Sequence, residues 1–72
     1  MRDLPPSPTL IRAWYATGLL RERERQARAA RDAYATAAMQ FAGALGDSHP
    51  DTVRAREAIQ RVAAMIPTEN HT

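Results

Sequence analysis

His49 is the residue whose type and surroundings could most directly do chemistry, because it stands between two aspartates. Asp47 precedes it by two positions, and Asp51 follows it by two. An imidazole beside carboxylates can hold a metal ion or move a proton, but a site needs three or four convergent ligands. Because Pro50 comes next, the residues better fit a helix start, with His49 or Ser48 as the N-cap and Pro50 at the first helical position. We therefore predict no metal and no catalytic role for His49.

The rest of the sequence holds no other set of residues that favours catalysis. His71 is the second of the two histidines, and no neighbouring residue suggests a role for it. There is no glycine-rich phosphate loop, no Ser/His/Asp set and no HExxH motif. The absence of cysteine removes disulfides and thiolate metal sites. We expect no enzyme activity and no cofactor, and we keep a helical protein that binds or converts a small ligand as the second alternative function.

A run of arginines in the middle of the chain is the best case for nucleic-acid binding. Its members are Arg21, Arg23, Arg25, Arg28 and Arg31. Against it stand Glu22, Glu24 and Asp32 in the same stretch, and no aromatic is interleaved for base stacking. The net charge of +2 is also small for a nucleic-acid binder. We interpret the run as a solvated, salt-bridged helix face and keep an Arg-rich nucleic-acid-binding or regulatory protein as the first alternative.

Length and composition predict one small domain with a thin core. Of the 72 residues, 44% are hydrophobic, but 15 of these residues are alanine. Few large side chains remain to offset about 1.5 kcal/mol of ordering entropy per residue, so we expect self-association or docking on another protein. No stretch approaches the ~20 apolar residues that span a bilayer, and the N-terminus lacks the apolar run of a signal peptide. We expect a cytoplasmic protein with no membrane partner.

Proline and glycine positions divide the chain into segments. Residues 1–7 are predicted to be a flexible, proline-rich leader, residues 8–66 a single helical domain, and residues 67–72 a frayed tail. Ser7 can cap a first helix with Pro8 at its first position. Apolar residues then recur at helical spacing, and a break or kink is expected at Thr17-Gly18, since glycine costs about 1 kcal/mol in a helix.

Two further helices are predicted after this break. Residues 19–45 contain a stripe spaced by seven, formed by Leu20, Ala27, Tyr34 and Phe41. Small alanines beside the stripe let another helix come close. Gly46 ends this central helix, Pro50 starts the third, and Pro67 stops the third after about Ile66. The short loop predicts antiparallel packing, so the fold class is all-α: a short N-terminal helix, a long central helix and an antiparallel C-terminal helix.

The loop before the third helix resembles a known repeat junction. Residues 45–51 contain Leu-Gly-x-x-His-Pro-Asp, which is similar to the junction of kinesin-light-chain-type tetratricopeptide repeats, where helix B ends and the next helix A begins. Trp14 and Gly18 lie at the spacing of a helix A signature. The helix B pattern of small, aromatic and small residues is carried by Ala30, Tyr34 and Ala37. The resemblance covers about residues 30–62 and implies a helical hairpin that serves structure or protein interaction without catalysis.

The sequence departs from that family at two places. The turn before helix B normally has a glycine and an aromatic, but here those positions hold Arg25 and Ala27. We therefore expect one continuous helix at this point instead of a hairpin. The positions of the paired asparagines that hold a peptide backbone in the family carry Glu57 and Ala58, which argues against peptide binding in the family's manner.

The function predicted from these residues is a non-catalytic protein–protein interaction module: a small adaptor, regulator or accessory subunit that acts through an apolar helical face, with a homodimer as the expected assembly. Trp14 and Tyr15 point about 100° apart on a helix, so both cannot be central in a thin domain; one aromatic is expected to pack on the long helix, and the other is a candidate interface residue. The residues predicted to act as packing and docking anchors are Trp14, Tyr15, Leu19, Tyr34, Phe41, Ile59 and Met65.

Overall fold

The chain is all-helical over the residues that the computed structural model describes, 7–67. The three helices are α1 (Pro8–Arg23), α2 (Ala27–Leu45) and α3 (Pro50–Ala63). No strand occurs within this range, so the predicted all-α class is confirmed. The predicted leader, apart from its last residue, and the predicted tail from residue 68 onward, including His71, lie outside the described residues.

The starts of α1 and α3 are those predicted from the proline positions. Pro8 and Pro50 occupy the first turns. The Ser7 hydroxyl accepts a hydrogen bond at 3.2 Å from a backbone N–H in the first turn of α1. The Nδ1 atom of His49 accepts one at 3.1 Å from the backbone N–H of Asp51. His49 is therefore an N-cap, and its ring nitrogen satisfies one of the amide groups that a helix start leaves without a partner.

The ends of α2 and α3 are set by turns that follow them directly. α2 ends at Leu45, as predicted from the glycine that follows it, and Gly46 takes a positive φ of 99°. The buried Thr52 hydroxyl donates to the Gly46 carbonyl oxygen at 2.8 Å, which ties the loop to α3. α3 ends at Ala63, three residues before the predicted end, because the backbone N–H groups of Met65 and Ile66 turn back to carbonyls three residues earlier.

The prediction of a continuous helix across residues 25–27 is wrong. α1 ends at Arg23, and Arg25 adopts a left-handed conformation with φ of 61°. The backbone N–H of Gln26 donates to the carbonyl of Arg21 at 2.9 Å, and that of Arg25 donates to Glu22 at 3.0 Å. This bond pair is a Schellman ending, whose left-handed position is usually glycine. An L-residue there costs about 1–2 kcal/mol, which the packing of α1 back onto α2 offsets.

Arg25→Gly is expected to stabilise the protein by about 0.5–1 kcal/mol. Glycine takes the left-handed conformation without steric cost, and the greater conformational entropy of glycine in the unfolded chain offsets part of this gain. Urea unfolding followed by circular dichroism measures the change. Arg23→Gly is the matched control: the same substitution inside α1 should destabilise by about 1 kcal/mol. A loss of stability in both variants would contradict the left-handed turn.

The predicted break at Thr17-Gly18 is also wrong, since α1 runs through both residues. Gly18 is buried, and a Cβ built on it would lie only 2.5 Å from ring carbons of Tyr34. The glycine therefore permits a close approach between α1 and α2 instead of interrupting the helix. Glycine within a helix lowers stability by about 1 kcal/mol relative to alanine, and the close packing that it permits offsets this loss.

Two apolar clusters show how the helices run. One contains Ile11, Ala37, Ala38, Phe41 and Ala55, and the other contains Ala30, Tyr34, Ala58 and Val62. The first joins the beginnings of α1 and α3 to the later part of α2, whereas the second joins the end of α3 to the earlier part of α2. Both outer helices are therefore antiparallel to α2 and parallel to each other. Ala30, Ala37 and Ala38 are buried in these clusters, whereas Ala27 of the predicted stripe is only partly buried. The small size of the buried alanines lets two helices pack on α2.

A candidate interaction groove between α1 and α3

Two side-chain ion pairs join α1 and α3 in the same register. A guanidinium nitrogen of Arg12 lies 3.4 Å from a carboxylate oxygen of Asp51, and the corresponding distance from Arg61 to Glu22 is 2.8 Å. Each pair spans 39 residues, so the helices run side by side for about 15 Å between the two pairs. Because α1 and α3 pack mainly on α2, a groove with α2 as its floor is left between them.

At the end near the α1–α2 turn, one residue from each helix contributes to a hydrogen-bonded cluster. The Tyr34 hydroxyl donates to Oε1 of Glu22 at 2.8 Å. Arg61 donates from Nη2 to Oε1 of Glu22 at 2.8 Å and from Nε to Oε2 at 3.1 Å. The Arg61 guanidinium also lies 6.0 Å from the centroid of the fully buried Tyr34 ring. The cluster thus connects all three helices through one carboxylate.

The ionisation of this cluster follows from its contacts. The hydrogen bonds from Arg61 and then from Tyr34 lower the pKa of the Glu22 carboxyl group. Burial, followed by the bond to Glu22, raises the pKa of the Tyr34 hydroxyl, and the bond to Glu22 raises that of Arg61. At neutral pH Glu22 is therefore anionic, Tyr34 keeps its proton and Arg61 is cationic. The arrangement is a satisfied ion pair that holds the helices together.

Glu22→Gln is expected to reduce stability at pH 7 by about 1 kcal/mol, which lowers the melting temperature by about 4–8 °C for a domain of this size. Because the folded-state pKa of Glu22 lies below its ordinary value of 4.5, the carboxylate's contribution is present above that pH and is lost as the pH falls through the folded pKa. As the pH is lowered from neutral to below the folded-state pKa of Glu22, the melting temperature of the wild type should therefore fall by more than that of the variant.

The matched control for this prediction is Glu24→Gln. Glu24 pairs with Arg21 at 2.8 Å on the surface of α1, and both side chains are about two-fifths exposed. Exposed pairs contribute little, so this variant should keep both the melting temperature at pH 7 and the acid dependence of the wild type. Equal acid dependence in wild type and Glu22→Gln would contradict the role of the cluster.

At the other end of the groove, two arginines flank one carboxylate above an aromatic floor. Asp51 accepts from Arg12 at 3.4 Å and from Arg54 at 3.5 Å. Together with Tyr15 and Phe41 these residues line a cavity of about 200 Å³. The guanidinium groups stand at the rim while the rings supply an apolar base, a combination that suits a protein segment with both apolar and acidic side chains.

Toward the α1–α2 turn, the groove widens into two adjoining depressions. One of about 400 Å³ is lined by Leu19, Glu22, Arg23 and Arg61, and one of about 560 Å³ shares Glu22 and Arg23 and extends to Met65. We call the whole surface the α1–α3 groove. It is lined by Arg12, Tyr15, Leu19, Glu22, Arg23, Arg25, Ala27, Phe41, Asp51, Arg54, Arg61 and Met65. Both of its carboxylates are bonded to arginines, so its net charge is positive.

The structure separates the seven predicted anchors into three groups. Tyr34 and Phe41 are buried in the core, and the Phe41 ring also forms part of the floor of the α1–α3 groove. Tyr15 and Ile59 are half-buried against the two clusters. The exposed members are Trp14, Leu19 and Met65, with exposed fractions of 44%, 40% and 53%.

The neighbouring aromatics of α1 divide in the manner predicted from their angular separation. The Tyr15 ring centroid lies 5.2 Å from that of Tyr34, with the ring planes tilted by 53°. Trp14 is exposed on another side of α1. Leu19 and Met65 line the α1–α3 groove but Trp14 does not, so the predicted anchors belong to two separate surfaces.

Leu20, which the sequence analysis placed in the apolar stripe of the central helix, lies instead on α1 and is exposed, because α1 extends to Arg23. Leu10, Met39 and Val53 are further large apolar side chains that the structure leaves exposed and that the sequence analysis did not single out. The Glu22–Arg61 pair had no local signal, since 39 residues separate its members.

The structure also describes the surroundings of the arginine run, the possible metal ligands and the lengths of the helices. Arg21 pairs with Glu24, and Arg31 lies 3.8 Å from Asp32. Within residues 7–67, no group of three or more histidine, aspartate or glutamate side chains is placed to hold a metal ion. The helices over this same range are all too short or too polar to cross a membrane.

Comparison of the chain with protein-family models, with curated proteins and with solved structures finds no match. The function is therefore inferred from the chain's own residues and geometry.

Proposed function

We propose that this chain is a non-catalytic protein-interaction module that acts in the cytoplasm and receives a segment of another protein in the α1–α3 groove. The observation that carries the proposal is the composition of that groove. Exposed Leu19 and Met65 and the ring of Tyr15 offer apolar contacts inside a rim of arginines. Arginine and aromatic residues are enriched where proteins bind each other.

The charge of the groove favours a partner segment with acidic side chains. Arg12 and Arg54 stand at one end, and Arg23 and Arg61 at the other. Glu22 and Asp51 neutralise only part of this charge. Guanidinium groups bind carboxylates in a bidentate manner, and a complementary partner gains association rate as well as specificity.

The resemblance to tetratricopeptide repeats supports protein interaction as the class of function, but not the family's way of holding a peptide, since Glu57 and Ala58 stand at the positions of the paired asparagines. The turn between α1 and α2 has its left-handed residue at Arg25, the position where the family carries glycine. Gly18, at the family's helix A glycine, lies against the ring of Tyr34. With α3 as the next helix A, the chain has the order of one hairpin followed by one further helix, and such hairpins serve protein interaction.

Site-specific photo-crosslinking tests the proposal in cells of the organism that encodes the chain. A photoreactive amino acid in place of Leu19 should crosslink to a defined protein, whereas the same group in place of Val53 should not. The two side chains are matched, since each is 40% exposed, but Val53 lies on α3 outside the groove. Crosslinks from position 19 to nucleic acid, or to no specific protein, would refute the proposal.

Binding measurements with the purified crosslinked protein complete the test. Leu19→Glu should weaken binding at least tenfold, because a carboxylate would lie beside an acidic segment and the apolar contact would be lost. Val53→Glu should leave binding unchanged. Circular dichroism on both variants checks that the helices are retained.

A further inference from the structure

α1 carries apolar side chains on two sides. Ile11 and Gly18 are buried and Tyr15 is half-buried on the side that faces α2. A second row of residues lies on the opposite side, where α2 does not cover it, and we call it the α1 outer row: Leu10, Ala13, Thr17 and Leu20. Leu10, Ala13 and Leu20 are exposed and Thr17 is half-exposed. Exposed apolar residues that are grouped on one side of a helix mark an interaction surface more often than residues scattered singly do.

The spacing of the α1 outer row fits a second helix. Steps of three, four and three residues place its members along one seam, as in two-stranded helical packing. Thr17 brings no unsatisfied polar atom into such a seam, because its hydroxyl already donates to the Ala13 carbonyl oxygen at 2.9 Å. The row can therefore be buried against another helix without leaving a polar group unpaired.

The order of the side chains along the α1 outer row indicates which helix packs on it. From either end the row has a large residue, two small ones and a large one. In an antiparallel pair of identical helices, Leu10 of each copy meets Leu20 of the other, and Ala13 meets Thr17. We propose that a second copy of this chain covers the α1 outer row through a twofold-symmetric, antiparallel α1–α1 contact, since such a contact needs a self-complementary patch.

Charge also selects the antiparallel arrangement. Arg21 lies at the edge of the outer row, paired with Glu24 at 2.8 Å. A parallel contact would bring the two copies of Arg21 together. The antiparallel contact separates them by about 18 Å along the helix axis, which exceeds the Debye length of about 8 Å at physiological salt. The α1–α3 groove has several arginines and would repel a second copy.

A head-to-tail contact, in which the α1 outer row of one copy packs on the outer side of α3 in the next copy, is disfavoured by the residues of α3. Besides Val53, that side presents Arg56, Glu57 and Gln60, which are all exposed. The α1 outer row would meet charged groups there, and repeated stacking would build an open filament. The symmetric contact closes at two copies. It also leaves the α1–α3 groove of each copy open, so the dimer and the proposed function are independent of each other.

Sedimentation equilibrium over about 5 to 500 µM tests the proposal. A contact through one four-residue row is smaller than a standard interface of about 800 Å² per partner, so the association should be weak. The average mass should therefore rise with concentration from 8.0 kDa toward twice that value. Leu20→Glu should remain monomeric throughout, and Val53→Glu should dimerise like the wild type. A monomeric wild type at 500 µM, or a folded Leu20→Glu variant that dimerises as strongly as the wild type, would overturn the proposal.

Cysteine crosslinking gives a readout that does not depend on breaking the contact. The sequence has no cysteine, so introduced thiols report only on their own positions. An equimolar mixture of the Leu10→Cys and Leu20→Cys chains should form the mixed disulfide on mild oxidation, and Leu10→Cys alone should not crosslink. Crosslinking of Leu10→Cys with itself at the same rate as in the mixture would show a parallel or random encounter and would exclude the antiparallel dimer.

Discussion

Tyr34→Ala is expected to unfold the protein at 25 °C. Removal of a large buried aromatic side chain costs about 3–5 kcal/mol, and a core of this size rarely supplies more than about 3–5 kcal/mol in total. Tyr34 is fully buried, packs on Tyr15 and with Val62, and bonds to Glu22. Its loss therefore affects the contacts of α2 with both other helices at once. Far-UV circular dichroism and the chemical-shift dispersion of amide protons measure the outcome.

Tyr34→Phe separates the ring from its hydroxyl. The ring would stay between Tyr15 and Val62, and Glu22 would keep both hydrogen bonds from Arg61. We expect this variant to remain folded with a loss of about 1 kcal/mol, the usual worth of one hydrogen bond. If Tyr34→Ala melted close to the wild type, the ring would not be a central part of the core, and the three-helix packing described above would be incorrect.

Replacement of Gly18 and Gly43 by alanine is expected to change stability in opposite directions. A Cβ at Gly18 would lie 2.5 Å from two ring carbons of Tyr34. That ring cannot move freely, since Glu22 holds its hydroxyl. Overpacking costs about 1–3 kcal/mol, and the gain in helix propensity returns up to about 1 kcal/mol, so Gly18→Ala should be destabilised by about 1–2 kcal/mol.

Gly43→Ala is the matched control on α2. No atom lies within 4 Å of a Cβ placed there, so only the helix propensity and the unfolded-state entropy change. We expect a gain of about 0.5–1 kcal/mol. Thermal and urea unfolding of both variants under the same conditions measure the difference. A stabilised Gly18→Ala would mean that α1 and α2 do not approach as closely as the structure shows.

The two surfaces of α1 suggest how a small chain can serve a larger assembly. The α1–α3 groove faces one side of α1, and the α1 outer row faces another. If both proposals hold, a dimer would present two grooves, and a partner with two acidic segments would bind with a higher apparent affinity because the second contact is intramolecular.

The sequence determined by itself the features that depend on near neighbours. Ser7 and Pro8 start α1, His49 and Pro50 start α3, and Gly46 follows the end of α2. Each involves a cap, a missing amide hydrogen or a backbone angle, and these act within a few residues. The buried alanine stripe of α2 was also predictable, since helical periodicity places such residues on one face.

The end of α1 and the identity of the side chains that meet depend on contacts between residues far apart in the sequence. An arginine at position 25 gives no local signal for a left-handed turn, and its cost of about 1–2 kcal/mol is small beside the packing that the turn allows. The Glu22–Arg61 pair and the close approach of Gly18 to Tyr34 depend on helices meeting in space. Trp14 and Tyr15 are neighbours of similar type, but Tyr15 is half-buried against clusters formed by α2 and α3, whereas Trp14 is left exposed. Local rules fix where helices can begin, whereas burial against distant residues selects among the remaining arrangements.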